Sequence, residues 1–304
     1  MTLLALLLGL LLERAATQLL HLREPRWFDG YLDWALTRFR GLHGGAALVM
    51  TILLVVLPVL PVALVAWIFR EVLLGILFVG FGALVLVFSL GPRDLKTEVD
   101  EYLEAIEADD RERAARVARE IAEHDAAQRT ADSAGTLVEA IFVQTNNRAF
   151  GVFFWFMVAG PAGAWAFRVS DLMRRRAVFE YRGRAQTSGE IPEFVHALQA
   201  IHGVLAWVPA RLLAIGYALA GDFARARSAW RYVMRATAAP FFEANDELLA
   251  SVGRAAVDDE ESAVGDVQPL PEAAEIRACM RLVNRALLIW LVFVAALVLI
   301  GWVR

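Results

Sequence analysis

The chain is organised around a run of uncharged, mostly apolar residues from 149 to 167, broken at its centre by Gly160-Pro161-Ala162-Gly163. The length of this run is close to the roughly 20 residues that cross a bilayer core as a helix. Because proline removes a backbone donor and clashes with the preceding turn, the break argues against a single straight helix. The pattern therefore predicts a membrane-embedded segment that changes direction.

Other apolar segments approach or reach the length of a membrane span: 45–69, 72–90, 194–220 and 286–303. We expect kinks in the first at Pro58 and Pro61. Residues 1–12 are apolar but short for a span, so we expect them to insert partly or to pack on other helices. Arg211 lies near the middle of 194–220, where it either faces protein or a polar cavity with a partner, or lies among headgroups on an interfacial helix.

A charged segment separates the second span from the central run. Its apolar residues recur on one helix face and then, after Asp109-Asp110, on a second. This spacing predicts a helical hairpin outside the membrane. Its Glu and Arg residues are typical of a solvated helix surface.

Arginines cluster after the central run, at positions 168, 174, 175, 176, 182 and 184, and a second arginine-rich segment covers 13–43. Both segments are expected in the cytoplasm, because arginine-rich loops remain on that side. A single crossing by 149–167 would place them on opposite sides. We therefore predict a re-entrant or deeply broken helix that enters and leaves on the same side.

Composition supports a membrane protein and argues against a nucleic-acid-binding protein, a disulfide-bonded protein and a histidine metal site. Hydrophobic residues make up 58% of the chain, and the net charge of -4 comes from 30 basic and 34 acidic residues without a basic patch. Nucleic acid is therefore not an expected partner. The lone Cys279 excludes an intrachain disulfide, and His196 and His202 are too far apart in helical phase for a typical metal pair.

These patterns predict an all-α, polytopic integral membrane protein with broken or re-entrant helices and a cytoplasmic helical hairpin. We expect a single membrane domain over residues 1–304. Its predicted segments are an N-terminal interfacial segment (1–44), a transmembrane hairpin (45–90), the cytoplasmic hairpin (91–148), broken helices with an arginine-rich connection (149–220), a polar segment (221–285) and a C-terminal transmembrane helix (286–304).

Several sequence blocks together resemble one known family. They are GPRDL (91–95), FGVFFWFMVAGPAGAWAFR (150–168), WVPARLLAIGYALAG (207–221) and the N-terminal LLLERAATQLLHLREPRWFDGYLDWALTRF. In this order and spacing they resemble the AmpE family, inner-membrane proteins associated with induction of chromosomal β-lactamase in Gram-negative bacteria. That family is in turn similar to the CobD/CbiB family, whose members use ATP to form an amide on a corrinoid carboxylate.

The resemblance implies which polar positions are kept and which are lost. The Arg-Asp pair of the enzymes is kept as Arg93 and Asp94, and their glutamate before the broken helix is kept as Glu139. Most candidate metal-binding carboxylates are replaced, at Val143, Gln144, Asn147, Arg148, His202, Gly203 and Arg174 to Arg176. Pro209-Ala210-Arg211 and the apolar scaffold are retained.

These departures favour a non-enzymatic signalling or regulatory protein of the bacterial inner (cytoplasmic) membrane, with no catalytic residue, metal or cofactor. Its expected partners are the lipid bilayer and an unknown protein of cell-wall recycling and β-lactamase signalling. The broken helix is the candidate for a switching element.

The alternative is a nucleotide-dependent amide ligase acting on an amphipathic or cell-wall-derived substrate, with ATP and Mg²⁺. A candidate ligand pocket would then contain Arg93, Asp94, Glu139, Arg168 and Arg211. Each has a structural explanation too: Asp94 as a helix cap, Arg93 and Arg168 as snorkelling side chains, Glu139 as an interfacial charge. No glycine-rich phosphate loop occurs in the sequence. A transporter ranks third, because no pair of similar broken halves is present.

Overall fold

A computed structural model describes residues 8, 26–39, 41–70, 76–90, 95–122, 134–188, 192–236, 241–257 and 271–299. Within these residues the regular secondary structure is helical and contains no strand, so the all-α prediction is confirmed. The helices are α1 (Arg26–Phe39), α2 (Gly44–Val56), α3 (Val59–Phe69), α4 (Ile76–Ser89), α5 (Leu95–Glu107), α6 (Arg111–Ala122), α7 (Ala134–Thr145), α8 (Gly151–Ser188), α9 (Glu193–Ala220), α10 (Phe223–Ala236), α11 (Phe241–Ala256) and α12 (Pro271–Leu299).

Helices long and apolar enough to cross a membrane account for much of the described chain. They cover Gly135–Glu180, which contains a break at Gly160, Glu193–Ala220 and Glu272–Leu297, and α2 with α3 form a fourth candidate, bent by 40°. Large apolar side chains are exposed on these helices, for example Trp67 at 73% and Val292 at 60%. An apolar surface of this kind is expected where helices face lipid. The prediction of a polytopic membrane protein is confirmed.

The chain divides into two compact units, where the sequence predicted a single domain. The first unit contains the described residues of 1–92 and 151–206, and the second contains those of 93–150 and 207–303. In the first unit α8 packs against α1, α2, α3 and α4. Its core contains Phe28, Trp165, Met173 and Phe194, each at most 7% exposed.

The predicted break in the central run is present in α8. Gly160 has φ 65° and ψ -154°, outside the helical region. A Cβ built on Gly163 would lie 2.4 Å from the carbonyl oxygen of Trp155, although residues eight apart in a straight helix are separated by roughly 12 Å along the axis. The chain therefore turns back sharply at Gly160, which confirms that the helix is broken. The indole Nε1 of Trp165 donates to Pro58 O at 3.1 Å, at the break between α2 and α3.

The second unit contains the predicted helical hairpin, formed by α5 and α6. The two helices are separated at Asp109, whose φ is 54°, and Asp110 Oδ1 caps α6 by accepting the Arg113 amide at 3.0 Å. The Tyr102 hydroxyl of α5 donates to Glu272 Oε1 of α12 at 2.5 Å. Burial, and then the neighbouring Glu272, raise the pKa of Tyr102 well above its usual value.

Two helix boundaries differ from the predicted segments. A π-helical turn, Asn146–Phe150, joins α7 to α8 without a loop, so the helix runs through the predicted boundary at 148. Likewise α12 runs through the predicted boundary at 285. Its charged first half carries an apolar face that is buried in the second unit, including Ile276 and Cys279. The change from charged to apolar residues near position 285 therefore occurs within one helix and does not mark its end. The boundary between the predicted spans 45–69 and 72–90 falls partly on residues 71–75, outside the described residues.

Candidate functional site

The described residues of the predicted pocket are distributed over both units. Arg93 and Asp94 lie outside the described residues. Glu139 and Arg211 belong to the second unit, and Arg168 belongs to the first. The predicted pocket remains a prediction, and the described members are characterised by their immediate neighbours.

Glu139 and Arg211 each bind a different position of α11. Glu139 Oε1 accepts from Arg254 Nη1 at 3.0 Å, and the Arg254 side chain is 51% exposed. Arg211 Nη1 donates to Asn245 Oδ1 at 2.9 Å, and its guanidinium lies 4.1 Å from the centre of the Trp207 ring. Arg211 thus has a protein partner, as one of the two alternatives for this residue predicted. Asn245 and Arg254 are separated by roughly 13 Å along a helix, so Glu139 and Arg211 have distinct surroundings.

Arg168 lies in a buried group of charged and polar side chains in the first unit, which we name the Asp171 cluster. Its members are Arg168, Ser170, Asp171, Arg174 and Arg175 of α8 with His202 of α9. It follows the break at Gly160 in the same helix. Asp171 is fully buried and is the carboxylate to which the arginines bind.

Three arginines occupy both carboxylate oxygens of Asp171. Arg168 Nη1 is 3.3 Å from Oδ2, Arg174 Nη2 is 3.2 Å from Oδ1, and Arg175 Nε is 2.8 Å from Oδ2. Positions three and four residues apart share a helix face, so α8 itself brings these groups together. Charge-assisted hydrogen bonds of this kind offset the cost of burying the aspartate.

His202 completes the Asp171 cluster from α9. The Ser170 hydroxyl donates to Phe167 O at 2.7 Å and lies 3.1 Å from His202 Nδ1. Ser170 Oγ and His202 Nδ1 are therefore within hydrogen-bond distance and connect α8 with α9. The second ring nitrogen, Nε2, is 3.9 Å from Asp171 Oδ1 and has no hydrogen-bond partner within the described residues.

A second buried polar group lies at the π-helical turn in the second unit, and we name it the Asn146 cluster. Its members are Gln144, Thr145, Asn146, Asn147 and Arg148, with Glu98 of α5. Arg148 Nη1 donates to Glu98 Oε2 at 2.6 Å, and Arg148 Nε donates to Gln144 Oε1 at 3.3 Å. Asn146 Oδ1 is buried and makes no hydrogen bond within the part of the chain that is described. A π-turn often marks a functional position, since it widens the helix locally.

Asp171 was not among the predicted site residues, and the arginines that follow it were interpreted mainly as a topology signal. The signal was available: Asp171 has arginine at the positions three before, three after and four after it. The pairing of Arg148 with Glu98 gave no comparable signal, because the two are 50 positions apart.

Neither cluster resembles a metal centre in its donor set. Within the described residues no group of three or more His, Cys, Asp and Glu side chains is placed to hold a metal ion. The buried carboxylates of both clusters are bound by arginine. The arginines neutralise both buried carboxylates, within one helix at Asp171 and between two segments at Glu98.

Comparison with known proteins gives two curated relatives with the same description, cobalamin biosynthesis protein CobD. The protein from Stutzerimonas stutzeri is 30% identical over 148 residues, which are 48% of this chain and 46% of the relative. The protein from Chromobacterium violaceum is 26% identical over 235 residues, 71% of this chain and 70% of the relative. No solved structure matches the chain.

A family model matches more of the chain than either of the two relatives does. Residues 1–303 match the family described as regulatory signalling modulator protein AmpE. The blocks on which the sequence resemblance was based lie within this range. The chain belongs to the AmpE family of regulatory signalling modulator proteins.

Proposed function

We propose that this protein is a non-enzymatic signalling protein of the bacterial inner membrane that takes part in the induction of chromosomal β-lactamase and in the response to cell-wall stress. Its family, described as regulatory signalling modulators, supports a regulatory role. The similarity to cobalamin biosynthesis proteins supports a scaffold shared with those relatives. Fold alone does not assign activity, so the site residues carry the proposal.

The observation that carries the proposal is that arginines of the same chain bind the buried carboxylates. Arg148 bonds to Glu98, and Arg168, Arg174 and Arg175 bond to Asp171. A Mg²⁺-nucleotide site needs carboxylate oxygens that are open to the cation. Oxygens that accept charged hydrogen bonds from guanidinium groups are poor candidates for that task.

The Asp171 cluster and the break at Gly160 together form the proposed switching element. Both lie in α8, and Trp165 between them is tied to Pro58 at the other helix break of the first unit. Packed elements with two discrete arrangements respond to small changes in contact. A signal from an unknown protein of cell-wall recycling would change the relative stability of two arrangements of α8.

The test is β-lactamase induction in a strain from which the chromosomal copy has been deleted. Wild-type protein should restore the normal response to a β-lactam. Asp171→Asn, expressed to the same membrane level, should change the response several-fold, because the amide cannot hold three guanidinium groups. A normal response with this variant would contradict the role of the cluster in signalling.

The alternative function is a nucleotide-dependent amide ligase, favoured by the similarity to CobD over 71% of the chain. Arg93, Asp94, Glu139, Arg168 and Arg211 are its proposed ligand residues, and ATP with Mg²⁺ is its proposed cofactor. Equilibrium binding of ATP to the purified protein, with and without Mg²⁺, separates the two proposals. Saturable Mg²⁺-dependent binding that Asp94→Ala abolishes would support the ligase and overturn the non-enzymatic proposal.

A further inference from the structure

Helix α10 carries a stripe of exposed arginines. Arg227, Arg231 and Arg235 are all exposed and follow each other at four-residue spacing. They therefore lie along one face of the helix over roughly 12 Å. The helix contains no acidic residue, and none of the three arginines forms an ion pair with another described residue. The fourth arginine, Arg225, is held by Asp222 and Val257 O and does not belong to this stripe.

Apolar side chains accompany the arginine stripe. Phe223 is 55% exposed and Met234 is 41% exposed, and in helical phase both are adjacent to Arg227. Tyr232, at 70%, flanks the stripe on its other side. Cationic and apolar groups that share the exposed surface of one helix are typical of helices lying at a membrane interface.

The helix that precedes α10 is a candidate membrane span. The candidate span Glu193–Ala220 ends three residues before α10 begins, and Ile215 and Leu219 are exposed in its last two turns. Phe223 continues their four-residue spacing into α10. Exposed apolar side chains are therefore present both at the end of the candidate span and at the start of α10.

The turn between the two helices is fixed by hydrogen bonds of Asp222. Asp222 Oδ1 caps α10 by accepting the amides of Ala224 at 2.9 Å and Arg225 at 3.0 Å. The Asp222 amide donates to Ala256 O at 2.9 Å, which ties the turn to the end of α11. From there α10 packs along α11. The exposed arginine stripe therefore begins seven residues after the end of the candidate span Glu193–Ala220.

Helix α6 shows that this surface is not a general property of the exposed helices. It has nearly the same length as α10 and the same aspartate cap, in which Asp110 Oδ1 accepts the Arg113 amide. Its exposed arginines are accompanied by the exposed Glu112 and Glu120, and it exposes no large apolar side chain. The mixture of acidic and basic residues on α6 is typical of a solvated helix, whereas the purely positive charge of α10 is complementary to an anionic surface.

We propose that α10 is a binding site for anionic phospholipid headgroups, with the phosphates bound by Arg227, Arg231 and Arg235 and with Phe223 and Met234 inserted at the bilayer boundary. Each basic residue near an anionic membrane surface favours binding by about five-fold. Three arginines in one row should therefore concentrate anionic lipid around this helix. This site is independent of the proposed signalling role.

The test uses the full-length protein in lipid nanodiscs with a fluorescent label at Ser228→Cys, which lies between Arg227 and Arg231. The natural Cys279 is buried, so the label attaches selectively. Nanodiscs of phosphatidylcholine contain the same small fraction of either brominated phosphatidylglycerol or brominated phosphatidylcholine. Bromine quenches the label only at short range, so the ratio of the two signals reports local enrichment of the anionic lipid.

We expect brominated phosphatidylglycerol to quench at least about five-fold more efficiently than brominated phosphatidylcholine. The preference should disappear in the Arg227→Gln/Arg231→Gln/Arg235→Gln variant and in about 1 M salt, where the Debye length is only about 3 Å. The matched change on α6, Arg111→Gln/Arg116→Gln/Arg119→Gln, should leave it unchanged.

Equal quenching by the two lipids in the wild-type protein would overturn the proposal, and so would the absence of quenching by either, because α10 would then be away from the bilayer or bound to another protein. If the α10 variant does not fold, the salt dependence of the wild-type protein decides: a preference that is unchanged by salt contradicts binding through the arginines.

Discussion

The two buried polar clusters of this protein are built in different ways. The Asp171 cluster is formed mainly by one helix, in which a single carboxylate is bound by arginines three or four residues away. The Asn146 cluster consists mostly of amide and hydroxyl groups and contains one ion pair between distant segments, Arg148 with Glu98. The Asp171 cluster therefore contains several charged side chains, whereas the Asn146 cluster contains mainly neutral polar groups and one charged pair. Removing a group should cost more in the first, because a buried charge without its partner is more costly than a buried amide.

The largest loss in the free energy of unfolding is expected for Asp171→Ala. Removal of this carboxylate leaves the guanidinium groups of Arg168 and Arg174 buried without it, and breaking a buried ion pair costs about 3–5 kcal/mol. Thermal unfolding of the purified protein would show the loss. Asp33→Ala is the matched control, since Asp33 pairs with Arg176 in the same unit but is 48% exposed. It should cost at most about 1 kcal/mol. Equal losses in the two variants would contradict the special role of burial.

The next effect concerns the break that precedes the Asp171 cluster. A methyl group at Gly163 would lie 2.4 Å from the Trp155 carbonyl, so Gly163→Ala should destabilise the protein by about 2–3 kcal/mol through overpacking against backbone. Gly80→Ala provides the control, because nothing lies within 4 Å of its added carbon. There the expected change is neutral or stabilising by up to about 1 kcal/mol. Unfolding midpoints of the two variants measure the difference, and a tolerated Gly163→Ala would argue against the sharp turn.

A smaller effect is expected in the Asn146 cluster. Arg148→Ala removes a short charged hydrogen bond from Glu98 and should cost about 2 kcal/mol. A double-mutant cycle with Glu98→Gln measures the coupling between the two side chains. We expect a coupling of about 1–2 kcal/mol, and a coupling near zero would mean that Arg148 stabilises the cluster through Gln144 instead.

The smallest effect is expected at Glu139. Its partner Arg254 is half exposed, so Glu139→Ala should change stability by no more than about 1 kcal/mol. Because Glu139→Ala should hardly change stability, a loss of function in this variant can be assigned to the carboxylate itself. If the variant folds normally but loses the induction response or a bound ligand, Glu139 has a functional role, as the alternative ligase proposal requires. A normal response would leave it as a surface ion pair.

The same comparison shows which parts of the structure could be predicted from the sequence. The helix break at Gly160-Pro161 and the hairpin turn at Asp109-Asp110 depend on local backbone chemistry, and both were predicted at the correct positions. The Asp171 cluster is also local, and its spacing in the sequence contained the necessary information. The Arg148–Glu98 pair joins residues 50 apart and depends on how α5 packs near the π-turn, which residue patterns do not specify.

The division into two units could not be predicted for a related reason. α9 is continuous in sequence and in structure, yet its residues before Trp207 belong to one unit and those from Trp207 onward to the other. Composition does not change at this point, because both halves are apolar. Only the helices packed around each half distinguish them.

The central claim, that α8 changes its arrangement around the Asp171 cluster during signalling, is tested most directly by the reactivity of a cysteine at position 179. Phe179 is 54% exposed and follows the cluster in α8, and the natural Cys279 is buried. The rate at which a membrane-permeant maleimide labels Phe179→Cys should differ several-fold between untreated and β-lactam-treated cells. A cysteine at Tyr232 on α10 should react at the same rate in both. If Phe179→Cys also reacts at the same rate in both states, the account of α8 as the switching element is wrong.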